Sequence, residues 1–72
     1  LTRCAADDLG AIGIRVNSVL PSIVDTDLAT PLTGTPEARA DYMECMPLAR
    51  VGQPDDVAAM VAFLLSDEAG WI

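Results

Sequence analysis

A short apolar segment of the sequence ends in a turn that carries polar groups, at residues 21 to 26. Pro21 has no backbone N–H to continue a strand ladder, and Ser22, Asp25 and Thr26 follow it closely. In open α/β sheets, ligands bind in the crevice beyond the carboxyl ends of the strands. The sequence therefore predicts that any ligand site of this chain lies at residues Pro21 to Thr26.

Other catalytic and metal chemistries find little support among the residue types. The chain has no histidine, so it contains neither a Ser-His-Asp triad nor an ordinary zinc site. Asp25 and Asp27 are close enough in sequence to be read as paired carboxylates for glycoside hydrolysis or for a divalent cation. Two acids in a loop are more often turn and capping residues, and we predict no metal ligand here.

The net charge and the cysteines limit the partners and the cellular compartment that the sequence predicts. The net charge is −7, and all four basic residues are arginines. Binding to nucleic acid or to an anionic membrane needs clustered cations, so we expect neither as a partner. The sequence has no spanning apolar stretch and no signal-peptide pattern, and Cys4 and Cys45 are typical of reduced, packed residues. These features predict a soluble, cytoplasmic protein.

The length of 72 residues allows one small domain at most, and such a domain is marginally stable alone. The first residue is Leu1, and the sequence stops at Trp71-Ile72 without a polar tail. We interpret residues 1 to 72 as a single partial domain of a longer protein.

The first third of the chain predicts a helix and then a strand. Residues 1 to 10 have the apolar spacing of an amphipathic helix, and Gly10 stands where a left-handed C-cap is expected. Residues 14 to 20 are rich in β-branched and apolar side chains with few polar interruptions. This composition predicts a buried strand of a parallel sheet.

Residues 22 to 50 form a region rich in Thr, Pro, Asp and Gly that we predict to be a loop acting as a lid. Within it, Thr35 as N-cap and Pro36 in the first turn predict a short helix that runs to Met46.

The side chains of Tyr42, Met43 and Met46 either line a substrate pocket under this lid or pack its helix onto the body of the protein. Arg50 lies at the end of this region, just before the last helix, and we expect it to pair with a carboxylate or to hold the loop.

Pro54, Asp55 and Asp56 suit the first turn of a last helix. Its apolar residues recur over residues 57 to 65 as a wide stripe that one strand alone cannot bury. The order is helix, strand, lid loop with a short helix, and helix, which predicts an α/β fold and a segment of a larger wound sheet.

Seven short blocks, in their order and spacing, resemble the carboxyl-terminal third of the short-chain dehydrogenase/reductase family, over essentially the whole chain. They are Leu1-Thr2-Arg3, Leu9-Gly10, Gly13-Ile14-Arg15-Val16-Asn17-Ser18-Val19, Pro21-Ser22-Ile23-Val24-Asp25-Thr26, Pro47-Leu48-Ala49-Arg50, Pro54-Asp55-Asp56-Val57-Ala58 and Phe63-Leu64-Leu65-Ser66. The resemblance implies the carboxyl-terminal part of a Rossmann-type doubly wound parallel sheet. It makes residues 14 to 20 the sixth strand and residues 54 to 66 the helix before the last strand.

The resemblance also implies a cofactor site for the nicotinamide of NAD or NADP. The residues implied to bind it are Pro21, Ser22, Ile23, Val24 and Thr26. In this reading the backbone of Val24 hydrogen-bonds the carboxamide, and the Thr26 hydroxyl reaches the carboxamide or the adjacent phosphate. Ser22 departs from the glycine common in the family, and a positive φ there would strain the serine by about 1 kcal/mol or more.

The implied function is that of a segment of an NAD(P)-dependent oxidoreductase that interconverts an alcohol and a carbonyl of a small molecule. By the same resemblance, the partner is a second copy of the protein or the remainder of the parent chain. The family's catalytic tyrosine is followed four residues later by a lysine, whereas Tyr42 is followed by Met46 and the chain has no lysine. A glycine-rich G-x-G-x-x-G turn is also absent.

We therefore predict no catalytic residue in these 72 residues and no activity from them alone. The alternative is a truncated, catalytically inactive fragment that acts at most as an interaction module through exposed apolar helix faces.

Overall fold

A computed structural model describes all of residues 1–72 and shows four α-helices and no β-strand. The helices are α1 (Thr2–Gly10), α2 (Thr30–Thr33), α3 (Pro36–Glu44) and α4 (Pro54–Leu65), and single 3-10 turns lie at Asp27–Ala29 and Asp67–Ala69. The chain divides into a first unit, Leu1–Leu20 with Ala59–Ile72, and a second unit, Pro21–Ala58. None of the helices is long and apolar enough to cross a membrane.

Residues 14 to 20 do not form the predicted buried strand. Their backbone makes no ladder, and the side chain of Leu20 is 86% exposed. A strand is held by hydrogen bonds to neighbouring strands, and the chain's one β-type pairing is an isolated parallel bridge between Val24 and Gly52. The predicted order of helices is present, but these 72 residues do not build the sheet of the predicted α/β fold.

The end of α1 differs from the prediction that Gly10 is a left-handed C-cap. Gly10 belongs to the helix, and Ala11 is the C-cap with an ordinary φ of −62°. Two tight turns follow, with hydrogen bonds from Ile12 N–H to Leu9 C=O and from Gly13 N–H to Gly10 C=O. The Ile14 N–H also donates to the Leu9 C=O at 3.1 Å, so Gly13, with its positive φ of 80°, is the left-handed residue of a Schellman-type helix end.

The two cysteines are free, but the prediction that they are packed is wrong. Cys4 lies on α1, which has no buried residue, and Cys45 is the exposed C-cap of α3. No other element of this chain covers either cysteine side chain.

In the first unit, Arg15 satisfies carbonyl groups around the end of α4. Its guanidinium donates to the carbonyls of Leu64 at 2.7 Å, Ser66 at 3.2 Å and Ile72 at 3.3 Å. The Asn17 amide donates to the same Ile72 carbonyl at 3.0 Å. The last carbonyls of a helix have no partner within it, so Arg15 caps α4 with a side chain that is remote in sequence.

In the second unit, α4 begins at Pro54 as predicted. The Asp56 carboxylate accepts the Gln53 N–H at 2.7 Å, as the acidic residue of a capping box does. Arg50 donates to both oxygens of Asp56, at 2.7 and 3.0 Å. The Arg50 hydrogen bonds, and after them the Gln53 N–H, lower the pKa of Asp56 to about 2. Arg50 therefore does pair with a carboxylate.

Helix α3 begins where the sequence predicts. The Thr35 hydroxyl oxygen accepts the Ala38 N–H at 3.1 Å, and Pro36 is the first helical residue. The helix ends at Glu44, two residues before the predicted end at Met46.

The connection from α2 to α3 is tight at Gly34. A Cβ atom added there would lie 2.5 Å from the Thr30 carbonyl oxygen. This position therefore needs glycine for lack of space, although its φ is an ordinary −76°.

Candidate functional site

The second unit contains a cavity of about 320 Å³ at the predicted ligand turn. Ser22, Ile23, Val24 and Thr26 line it from the turn, and Leu28, Ala29 and Leu32 line it from the segment that follows. Four of the five residues predicted to bind a cofactor thus lie around one cavity, while Pro21 is not among its lining residues. The volume is at the lower end of the range of small-molecule sites.

The backbone around Val24 is held by the isolated bridge to Gly52. The Gly52 N–H donates to the Ile23 carbonyl at 3.3 Å, and the Asp25 N–H donates to the Gly52 carbonyl at 2.8 Å. In such a pairing the bonded groups belong to the two neighbours of the central residue, so the N–H and C=O of Val24 itself point away from Gly52. Val24 thus presents one donor and one acceptor side by side, and its carbonyl accepts the Thr26 hydroxyl at 3.4 Å.

Gly52 is suited to this pairing by its size. A Cβ atom at this position would lie 3.3 Å from the Ile23 carbonyl oxygen, which is a crowded contact. Glycine lets the two backbone segments approach.

Ser22 is not strained, because the structure has no positive φ at this residue. Its hydroxyl instead lies 2.6 Å from the Tyr42 hydroxyl, with which it shares a hydrogen bond. The Tyr42 oxygen also accepts the Ile23 N–H at 3.1 Å. Serine at this position therefore contributes a hydrogen-bonding group that glycine would lack.

The carboxylate of Asp25 accepts hydrogen bonds from two side chains. Arg39 donates to its carboxylate at 3.0 Å and Gln53 at 3.4 Å. These contacts, with the Arg39 hydrogen bond the larger, hold the pKa of the Asp25 carboxyl below its usual value. Asp27 lies in the first turn of the 3-10 segment that follows, and no group of three or more potential metal-ligating side chains exists.

The sequence pattern did not predict the contact between Arg39 and Asp25, and it left the role of Tyr42 open. Tyr42 is half-buried and also lines a second cavity of the same unit, of about 340 Å³, with Pro31, Leu32, Ala38 and Asp41. Arg39 and Tyr42 are three residues apart on α3 and so lie on one face of the helix. The sequence shows this spacing and so predicts that the two side chains share a helix face. It does not show which segment of the chain that face contacts.

Comparison with known proteins identifies the family. Residues 1–72 match the family model described as enoyl-(acyl carrier protein) reductase. The chain belongs to the short-chain dehydrogenase/reductase family, as the sequence resemblance implied.

Two curated relatives show the extent of the match. The (3R)-3-hydroxyacyl-CoA dehydrogenase of Mus musculus is 49% identical over 74 residues, which cover 100% of this chain and 27% of that protein. The L-xylulose reductase of Caenorhabditis elegans is 42% identical over 69 residues, which cover 96% of this chain and 28% of that protein. The chain thus spans less than a third of the length of these relatives.

The solved structure of a short-chain type dehydrogenase/reductase from Mycobacterium ulcerans is similar to the chain with a TM-score of 0.90 and 46% identity. The match covers 99% of this chain and 26% of that chain. The backbone therefore follows the course of part of a family member.

Proposed function

We propose that this chain is the nicotinamide-side segment of an NAD(P)-dependent short-chain oxidoreductase that interconverts an alcohol and a carbonyl. The observation that carries the proposal is the Val24 backbone, which presents a donor and an acceptor at a cavity lined by the predicted turn. A carboxamide has the complementary pair, one acceptor oxygen and one donor nitrogen. The names of the relatives, a dehydrogenase and a reductase, support the same class of reaction.

In the proposed site, the nicotinamide supplies the hydride chemistry and the chain supplies binding and orientation. The Val24 N–H and C=O hold the carboxamide, and the Thr26 hydroxyl, which now contacts the Val24 carbonyl, turns to the carboxamide or to the adjacent phosphate. The apolar side chains of Leu28 and Leu32 line the cavity beside the ring. Pro21, Ser22 and Ile23 complete the set of proposed cofactor-binding residues.

The lid role belongs to residues 22 to 50 in this proposal. This region contributes α2 and α3 and lines two cavities of the second unit, one of which has Tyr42 and Asp41 in its wall. A small alcohol or carbonyl compound enters beside the turn and is enclosed by this region.

The test uses the protein expressed from its complete gene, in case the gene encodes more than residues 1–72. Oxidation of NADH and of NADPH is followed with a β-ketoacyl thioester, a ketose and a small diketone as substrates. We expect turnover with at least one pair, and Thr26→Val should raise the KM for the cofactor about threefold to tenfold through the loss of one hydrogen bond, with a smaller change in kcat.

Thr30→Val is the matched control, because it also removes a threonine hydroxyl but at a position that lines neither cavity. It should leave the KM for the cofactor unchanged. Absence of turnover with every pair, from a folded protein, would show that the proposal is wrong.

An interaction module without catalysis is the second candidate, and one feature of the first unit favours it. A cavity of about 450 Å³ there is lined by residues 13 to 19 and by Val61, Leu64 and Leu65 of α4, and it contains none of the predicted site residues. Trp71 is 98% exposed nearby in sequence. Apolar surface of this kind is typical of a face that a second copy or further polypeptide covers.

Native mass spectrometry of the purified protein separates the two candidates. A longer polypeptide or a homo-oligomer with nicotinamide turnover supports the oxidoreductase. A bare 72-residue species without turnover leaves only the interaction module.

A further inference from the structure

The backbone on both sides of Val24 is fixed by groups from elsewhere in the second unit. Ile23 has its N–H bound by the Tyr42 hydroxyl and its C=O bound by Gly52. Asp25 has its N–H bound by Gly52 and its carboxylate bound by Arg39. The polar groups that flank Val24 are therefore bound by residues remote in sequence, whereas the Val24 N–H and C=O point away from Gly52 and the C=O accepts only the nearby Thr26 hydroxyl.

One rigid element makes both of the side-chain contacts. Arg39 and Tyr42 are one turn apart on α3, whose start is fixed by the Thr35 cap and by Pro36. Arg39 reaches the residue after Val24, and Tyr42 reaches the two residues before it. A movement of α3 therefore changes the turn on both sides of Val24 at once.

These contacts are better suited to fix geometry than to stabilise the fold. The side chains of Arg39 and Asp25 are 39% and 41% exposed, and ion pairs of that exposure contribute little to folding free energy. A donor and acceptor pair binds a ligand well only when it is already held in the binding geometry. Contacts placed immediately beside Val24 provide that preorganisation.

We propose that Tyr42 and Arg39 are positioning residues that set the Val24 backbone for the nicotinamide carboxamide; this inference rests on the proposed function above. Ser22 belongs to the same set of contacts, because its hydroxyl is the second hydrogen-bond partner of the Tyr42 hydroxyl. The linkage is reciprocal: a cofactor that binds the preset turn also holds α3 in place.

The test measures cofactor affinity by calorimetric titration with NADH and NADPH, on the protein expressed from its complete gene. Tyr42→Phe removes only the hydroxyl, and Arg39→Gln removes the charge and the ion pair. Each variant should weaken the affinity for the cofactor about threefold to tenfold and raise its KM similarly, with a smaller change in kcat. Arg39→Lys keeps a cation near Asp25 and should restore most of the affinity.

Arg3→Gln is the matched control for Arg39→Gln. Arg3 is an exposed arginine on α1 without a hydrogen bond or ion pair, so its replacement should leave the affinity unchanged. A double-mutant cycle of Ser22→Ala and Tyr42→Phe should show coupling, because the two hydroxyls share one hydrogen bond.

A second readout does not depend on the cofactor. Hydrogen exchange at the Ile23 amide should be faster in Tyr42→Phe than in the wild type, because the Tyr42 oxygen is the acceptor of that N–H. Bound cofactor should slow the exchange of the α3 amides in the wild type and do so less in Arg39→Gln.

The outcomes distinguish this inference from the proposed function. Wild-type binding of the cofactor with unchanged affinity in Tyr42→Phe and Arg39→Gln overturns the inference and leaves the proposed function standing. Failure of the folded wild type to bind either nucleotide overturns the proposed function, and the positioning role falls with it.

Discussion

In each unit of the chain, polar side chains form hydrogen bonds with residues that are remote in sequence. The two units differ in the groups that these side chains bind. In the first unit, Arg15 and Asn17 donate to backbone carbonyls at and after the end of α4. In the second unit, Arg39 and Tyr42 bind the groups on either side of Val24.

The difference lies in which groups these remote side chains bind. Arg15 binds the Leu64 carbonyl, which the end of α4 leaves without a helical partner, and the Ser66 and Ile72 carbonyls that follow the helix. The contacts around Val24 engage its neighbours, whereas Val24 itself lines a cavity and its C=O accepts only the nearby Thr26 hydroxyl, at 3.4 Å. Under the proposed function, the contacts of the second unit hold a donor and an acceptor for a ligand, whereas those of the first unit fix the end of a helix.

The largest expected effect concerns the turn between α2 and α3, which joins two helices whose residues line cavities of the second unit. Gly34→Ala would place a Cβ atom 2.5 Å from the Thr30 carbonyl oxygen. The backbone must shift, so we expect a loss of about 1–3 kcal/mol of unfolding free energy, with weaker cofactor binding as well. Urea unfolding and calorimetric titration measure the two quantities.

Gly10→Ala is the control for this change, because nothing lies within 4 Å of a Cβ atom at that position. It should be neutral or slightly stabilising. An equal loss of stability in both variants would show that the turn at Gly34 is not crowded.

The next effect tests the comparison of the units directly. Arg15→Gln removes hydrogen bonds to three carbonyls and should lower the unfolding free energy by about 1–2 kcal/mol, with no change in cofactor affinity. Arg39→Gln should show the opposite pattern, with weaker affinity and little change in stability. If Arg15→Gln weakened the affinity as much as Arg39→Gln, the distinction between the units would not hold.

The smallest effect depends on pH and concerns the start of α4. The pKa of Asp56 is about 2 in the folded chain, below its ordinary value of 3.8, chiefly because of the Arg50 hydrogen bonds. A carboxyl whose pKa is lower in the folded than in the unfolded chain stabilises the fold at pH values above its unfolded pKa. This contribution is lost as the pH falls from about 4 to about 2. Asp56→Asn should remove that part of the acid-induced loss of stability.

Asp55→Asn is the matched control, since Asp55 is in the same helical turn and makes no hydrogen bond or ion pair. Unfolding midpoints measured at several pH values in this range give the comparison. A stability profile for Asp56→Asn as steep as that of the wild type would contradict the assigned role of Arg50.

Helix starts were predictable because their determinants are local. Thr35 with Pro36 and Pro54 with Asp56 act within one turn of the helix that they begin, and both helices start there. The end of α1 was less predictable, because two glycines follow each other closely and the left-handed conformation is at Gly13 and not at Gly10.

The sheet could not come from residues 14 to 20 alone. Their composition is that of a buried strand, but strand hydrogen bonds and burial are supplied by neighbouring segments. In this chain, Val24 and Gly52 make the single β-type pairing.

The sequence by itself determined the starts of α3 and α4 and the family. It also predicts a ligand site at the turn of residues 21 to 26, which stays a prediction. The roles of Tyr42 and Arg39 were decided only by the tertiary structure. Tyr42 and Ser22 are 20 residues apart, and Arg39 and Asp25 are 14 apart. No local pattern specifies such pairs, because the packing of α3 against the turn brings them together and helix spacing shows only which side chains share a face.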